Sequence, residues 1–168
     1  AGTVPLVKSV SDETFQKYVA ALNGPRDLKR GHELFLQGCA VCHRIGNEGH
    51  DVGPDLMGQL GLAEESLLKE ILIPNERIRP GFETTLVQTR DGGALSGLLK
   101  DDGATSLTLA QAGGVEQVLL RKDVTGVRRL GSSLMPSYAE TLTPADVANL
   151  LAWLRSNLRP ESSKLPNN

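Results

Sequence analysis

Cys39-Ala40-Val41-Cys42-His43 holds both cysteines of a 168-residue chain, with a histidine directly after the second. C-x-x-C-H is the pattern of covalent c-type haem attachment. Two thiols must add to two vinyl groups on one edge of a porphyrin, and two intervening residues let one helical turn span that edge. His43 then falls beneath the iron, where its Nε2 binds the metal and its Nδ1–H needs an acceptor to hold the tautomer. Three other readings of the cysteine pair fit less well. A dithiol redox site normally sits in a βαβ setting, and none surrounds Cys39. A tetrahedral zinc site takes four ligands, and the other histidines, His32 and His50, do not form an H-x3-5-H pair. A disulfide closing so small a ring is strained.

A haem iron needs a sixth ligand or an open position. The chain has two methionines, Met57 and Met135. Met135 sits in Ser133-Leu134-Met135-Pro136-Ser137-Tyr138, a loop just before the last helix. A thioether held there reaches the iron face opposite His43, and a His/Met pair raises the reduction potential. The competing reading is a flexible core filler. Met57 lies too near the haem motif, on the His43 side, and is expected to pack. Gly53-Pro54-Asp55-Leu56 follows His43 by about ten residues. The Pro54 carbonyl is the candidate acceptor for His43 Nδ1–H, because the proline ring fixes φ and steadies that carbonyl. Arg77 and Arg79 are candidates to pair with a haem propionate.

Composition sets wider bounds. The length fits one domain, or one plus a modest insertion. A hydrophobic fraction of 39% builds a core, although aromatics make up only 4%; a haem would add apolar surface to it. The formal net charge of −2 shows no basic footprint for nucleic acid. No segment is long and apolar enough to span a membrane. No signal peptide is visible, yet haem is attached to such motifs outside the cytoplasmic membrane. The expected location is therefore periplasmic or otherwise extracytoplasmic, with a leader or upstream domain in the precursor.

Periodicity divides the chain further. Residues 1–24 read as an N-terminal extension with a short helix over Ser11–Leu22, its face carried by Phe15, Tyr18 or Val19, and Leu22. A second helix is predicted from Pro25 to Gln37, ended by Gly38. Arg44–Met57 reads as a loop and Ala63–Ile73 as a helix stopped by Pro74. From 82 to 130 the apolar spacing shortens and turn signals recur at Asp91-Gly92-Gly93, Asp101-Asp102-Gly103 and Gly113-Gly114. Strands are expected over Thr84–Thr89, Ala94–Lys100, Thr105–Ala110 and Val115–Arg121, with Val124–Leu130 completing a meander. A final helix starts at Thr143-Pro144-Ala145-Asp146 with Thr143 as N-cap, carries Val147, Leu150, Leu151 and Leu154 inward, and closes at Pro160. Residues 161–168 read as a polar tail. The haem domain thus spans 25–81 and 131–160, interrupted by the β unit.

Cys39–His43, Gly53-Pro54-Asp55-Leu56 and Leu134-Met135-Pro136 together resemble class I cytochromes c. The resemblance implies a mostly α fold, interrupted here by a small antiparallel, barrel-like β insertion. It implies one covalent haem c on Cys39 and Cys42, with His43 and Met135 as axial ligands. It also places Pro54, Leu56, Phe35 and Trp153 around the haem pocket, with Gly31 and Phe35 meeting Leu150 and Trp153 where the terminal helices cross. Ninety-two residues separate His43 from Met135, more than a compact member needs, and the β insertion accounts for the excess. The whole run, with Ile73-Pro74-Asn75-Glu76, Pro80-Gly81-Phe82-Glu83 and Ser96-Gly97, is most similar to haem-binding domains at the ends of large secreted proteins of planctomycetes and verrucomicrobia. Many of those are joined to a dehydrogenase or propeller domain. The insertion looks somewhat like an SH3- or Sm-like barrel, but its six Lys/Arg against six Asp/Glu argue against RNA. A flap packed beside the haem, shielding its edge, pairing with another chain or docking a redox partner, is the expectation.

Three functions follow as expectations. The first is a one-electron carrier, not itself an enzyme, which exchanges electrons with a redox partner or fused dehydrogenase through a haem edge exposed near Cys39 and Cys42. The second is a haem catalyst or gas sensor with a displaceable Met135. The third is an interaction module that forms a homodimer through the β insertion.

Overall fold

The computed structural model describes residues 10–59 and 62–157. The expectations for the first nine residues, for Pro160 and for the 161–168 tail lie outside the described residues. Helix α1 spans Asp12–Ala21. Ser11 caps it, its hydroxyl accepting the Thr14 N–H at 3.2 Å, and Phe15 and Tyr18 face inward. Helix α2 spans Leu28–Leu34. It starts three residues later than predicted, because Asp27 supplies the cap, its carboxylate accepting the Arg30 N–H at 3.0 Å. Nor does Gly38 end it. The chain runs on as a π-helical turn over Phe35–Cys39, with Ala40 N–H donating to the Phe35 carbonyl at 2.8 Å.

The predicted loop after His43 contains a two-stranded hairpin, β1 (Arg44–Ile45) with β2 (Glu48–Gly49), and a 3-10 turn at Met57–Gln59. Helix α3 spans Glu64–Leu72 and buries Leu68, Ile71 and Leu72. Helix α4 spans Pro144–Asn157 and turns Val147, Leu150, Leu151 and Leu154 inward. Its start is the predicted capping box. Asp146 N–H donates to Thr143 Oγ1 at 3.1 Å, and Thr143 N–H donates back to Asp146 Oδ2 at 3.3 Å.

Helices α2 and α4 cross at Gly31. A Cβ there would meet the Asn149 carbonyl oxygen and lie 2.7 Å from Trp153 Cβ, so only glycine admits this approach. Arg26 binds α3 and α4 together from one side, donating to Glu64 Oε1 at 2.7 Å and to the Ala148 carbonyl at 2.8 Å. One core joins α1, α3 and α4 with Phe35, Ala40 and Ile45.

Between α3 and α4 lies a five-stranded antiparallel sheet: β3 (Glu83–Thr89), β4 (Ala94–Asp102), β5 (Ser106–Gln111), β6 (Val115–Leu120) and β7 (Val124–Ser133). Strands and α-helices take comparable shares of the described residues, because β4 and β7 run past the apolar stretches that marked them. The strand order is β6-β5-β4-β3-β7, so the unit is not the simple meander expected. A 3-10 turn at Arg121–Asp123 carries the chain across the sheet, and β7 pairs with β3 rather than with β6. Bulges in the β3–β7 and β4–β5 ladders bend the sheet toward closure. The curled sheet encloses its own core of Val87, Leu107 and Leu109, all fully buried.

Candidate haem-attachment site

Cys39 to His43 form the single helical turn that the motif requires. Cys42 N–H and His43 N–H both donate to the Cys39 carbonyl, at 3.0 and 2.8 Å. The chain then doubles back beneath the turn, where Val52 and Gly53 N–H groups donate to the Cys42 carbonyl at 3.0 and 2.6 Å. Gly49, at φ 90°, lies where a Cβ would strike the His43 carbonyl oxygen.

His43 is buried, and its Nδ1 lies 2.9 Å from the Pro54 carbonyl oxygen. A carbonyl only accepts, so Nδ1 carries the proton. Burial pushes the imidazole pKa below its usual value, against the opposing pull of the Pro54 bond. The ring is therefore neutral, with its lone pair on Nε2, the form that binds a metal. A Cβ at Gly53 would stand 2.6 Å from His43 Cε1, so the imidazole lies flat against a residue without a side chain.

Both thiols, His43 and Met135 line one cavity of about 670 Å3, within the size range of cofactor sites. A second, smaller cavity of about 70 Å3 shares Cys39, His43 and Met135 with it and is lined on the other side by Leu150 and Leu154 of α4. Burial, followed by the neighbouring Cys42, pushes the Cys39 thiol up to about 12, and burial raises Cys42 too. Such thiols sit neutral in apolar surroundings, which suits conversion to uncharged thioethers.

The Met135 segment is held from several sides. Met135 N–H donates to Ser133 Oγ at 3.1 Å, and Ser133 N–H to Asn75 Oδ1 at 2.7 Å. Ser137 Oγ donates to the Leu72 carbonyl at 2.6 Å. Tyr138 OH donates to the Gly38 carbonyl at 2.8 Å, joining the methionine loop to the residue before Cys39. From α1, Tyr18 OH lies 2.7 Å from both the Ala139 and Leu142 carbonyls.

Pro54, Leu56, Arg77 and Arg79 line the same cavity. Arg77 is largely exposed and pairs with Glu70 at 3.0 Å. Arg79 makes no ion pair among the described residues. Phe35 and Trp153 do not line the cavity and instead pack at the helix crossing where the resemblance set them. Phe35 is fully buried and Trp153 nearly so; their rings pack 4.8 Å apart, and Trp153 stacks on His32 at 4.7 Å. The close approach at Gly31 turns both rings into the helix crossing. Met57 does not pack either. It is 46% exposed, because its 3-10 turn lies on the outer side of the loop.

Sequence reasoning missed Gln59, Tyr138, Phe82 and Leu98, all of which line the cavity. Gln59 is 4% exposed, and its Oε1 has no hydrogen-bond partner among the described residues. A buried polar group of this kind needs a partner inside the cavity. Nothing local marked it, since a lone glutamine in a polar loop reads as solvated. Cys42 is half-buried, and it and Phe82 both pack against a cluster of Val52, Leu98 and Ala110.

The apolar cavity, the turn bearing two thiols and the neutral imidazole with Nε2 free all fit a covalently held haem. Residues 28–107 match the family model of cytochrome c. The match supports a cytochrome c domain, and a cytochrome c domain implies covalent haem c. It starts at the first residue of α2 and ends inside β5, so Met135 and α4 lie beyond it. Among the described residues no helix is long and apolar enough to cross a membrane.

Proposed function

We propose that this chain is a class I type electron carrier, holding one haem c with His43 and Met135 as its axial ligands. When bound, the haem supplies an Fe(III)/Fe(II) couple. The protein's own residues do the rest. Cys39 and Cys42 would fasten the group, Pro54 holds the His43 tautomer, and Arg79, which lines the cavity, would receive a propionate. The observation that carries the reading is the 2.9 Å bond from His43 Nδ1 to Pro54, which leaves Nε2 free in a cavity that Met135 also lines. With His43 and Met135 both holding the group, the site would carry electrons rather than take up a substrate at the metal. A His/Met pair sets a comparatively high potential, suited to taking electrons from a dehydrogenase-type partner or fused domain. Haem attachment places the mature chain outside the cytoplasm.

The test is the visible spectrum of the oxidised holoprotein. The wild type should be low-spin with the weak far-red band of methionine-bound ferric iron, and Met135→Ala should lose that band while keeping its haem. High-spin ferric iron in the resting wild type counts against the proposal.

A further inference from the structure

We infer that the β insertion is one wall of the haem crevice, with Phe82 and Leu98 set against the porphyrin edge that joins Cys42. The inference rests on haem attachment at Cys39 and Cys42, but not on ligation by Met135.

The sheet already has a core of its own. Val87, Leu107 and Leu109 fill the inside of the curl. In the β4–β5 ladder Leu99 pairs with Leu109, whereas Leu98 pairs with Ala110. Side chains alternate across a sheet, so Leu98 and Ala110 face away from that core. Yet they are only 4% and 1% exposed. What covers them is the haem-motif loop: they form a separate cluster with Val52, against which Cys42 and Phe82 pack. Phe82 and Leu98 line the cavity that also holds Cys39, His43 and Met135.

Polar contacts hold this docking in register. Gly113 N–H donates to the carbonyl of Val41, within the haem motif itself, at 2.7 Å. Lys100 Nζ donates to the Asp51 carbonyl at 3.0 Å. A Cβ at Gly114 would lie 2.6 Å from His50 Nδ1, so a turn of the sheet sits tightly on the loop after the motif. A sheet that merely hung from the helical domain by its two ends would need none of these contacts.

Two consequences follow. The insertion covers the Cys42 edge with hydrocarbon, so electrons enter by another part of the crevice rim. It also dries the haem surroundings, and a drier apolar setting disfavours the more highly charged ferric state and raises the potential.

The deciding experiment is nuclear magnetic resonance on the reduced, diamagnetic holoprotein. Nuclear Overhauser contacts should join haem-edge protons at the Cys42 thioether to the Leu98 methyls and the Phe82 ring. Their absence from a protein whose haem is attached overturns the inference and leaves the proposed function standing. A protein that matures without thioether bonds overturns both. As a second reading, Leu98→Ala and Phe82→Ala should each shift the midpoint potential downward. Val118→Ser, on the open β6 edge where Val118 is 62% exposed, should not. Equal potentials in all three variants count against the wall, and because the resonance experiment uses the wild type, a variant that fails to fold does not spare the inference.

Discussion

At the scale of the residue, His43 is positioned by its neighbours more than by its own helix turn. Pro54 takes the proton-bearing nitrogen, and Gly53 clears space for the ring face. Adding one methyl group at Gly53 puts carbon 2.6 to 3.0 Å from three atoms of the imidazole, a contact that must displace either the ring or the loop. Gly53→Ala should therefore weaken the His43–iron bond. In the oxidised holoprotein the expected outcome is a mixed or high-spin spectrum with less haem retained, and a wild-type low-spin spectrum would contradict this account. The Pro54 contact was readable in advance because its partner lies close in sequence, and a metal-bound imidazole needs an acceptor. Gln59 was not readable. Its burial depends on α3 and α4 closing over the loop, and no local pattern encodes that.

At the scale of the element, the crossing of α2 and α4 is the joint on which the cavity rests. The cavity begins where α2 continues through its π turn into Cys39, and Leu150 and Leu154 of α4 line the smaller cavity that shares Cys39 with it. Gly31 sets how closely the two helices approach. Gly31→Ala should push them apart at a cost of ~1–3 kcal/mol, the usual range for overpacking a filled core. A lowered midpoint in denaturant unfolding, with the slope unchanged, is the measurement that checks it. The helix periodicities and the Thr143 capping box were legible because they are local. Pairing of β7 with β3 was not, since a run of apolar residues names no partner strand. The sequence set Phe35 and Trp153 at the helix crossing but did not say whether they also reach the cavity. Helical spacing shows that an aromatic side chain points inward, but the choice between cofactor and opposing helix depends on the crossing geometry.

At the scale of the whole molecule, the helical core and the cofactor cavity are one continuous structure. The cluster around Phe35 and Leu151 includes Cys39, Leu56, Met135 and Tyr138 at its border. The chain's single tryptophan lies inside this cluster at the helix crossing. Unfolding of the holoprotein followed by Trp153 fluorescence and by haem absorbance should give coincident transitions, and two separated transitions would show the crossing and the cavity to be independent. The Cys39–His43 motif, the Pro54 acceptor and the Thr143 capping box were determined by the sequence alone, because each relies on covalent chemistry or on bonds spanning a dozen residues or fewer. The tertiary structure alone decided which further side chains complete the cavity lining. Leu98, Phe82 and Gln59 come to it from separate elements, brought together by a curled sheet and a helix crossing whose contacts span up to a hundred and more residues of chain. Such packing depends on shape across the whole fold, and no stretch of sequence carries it by itself.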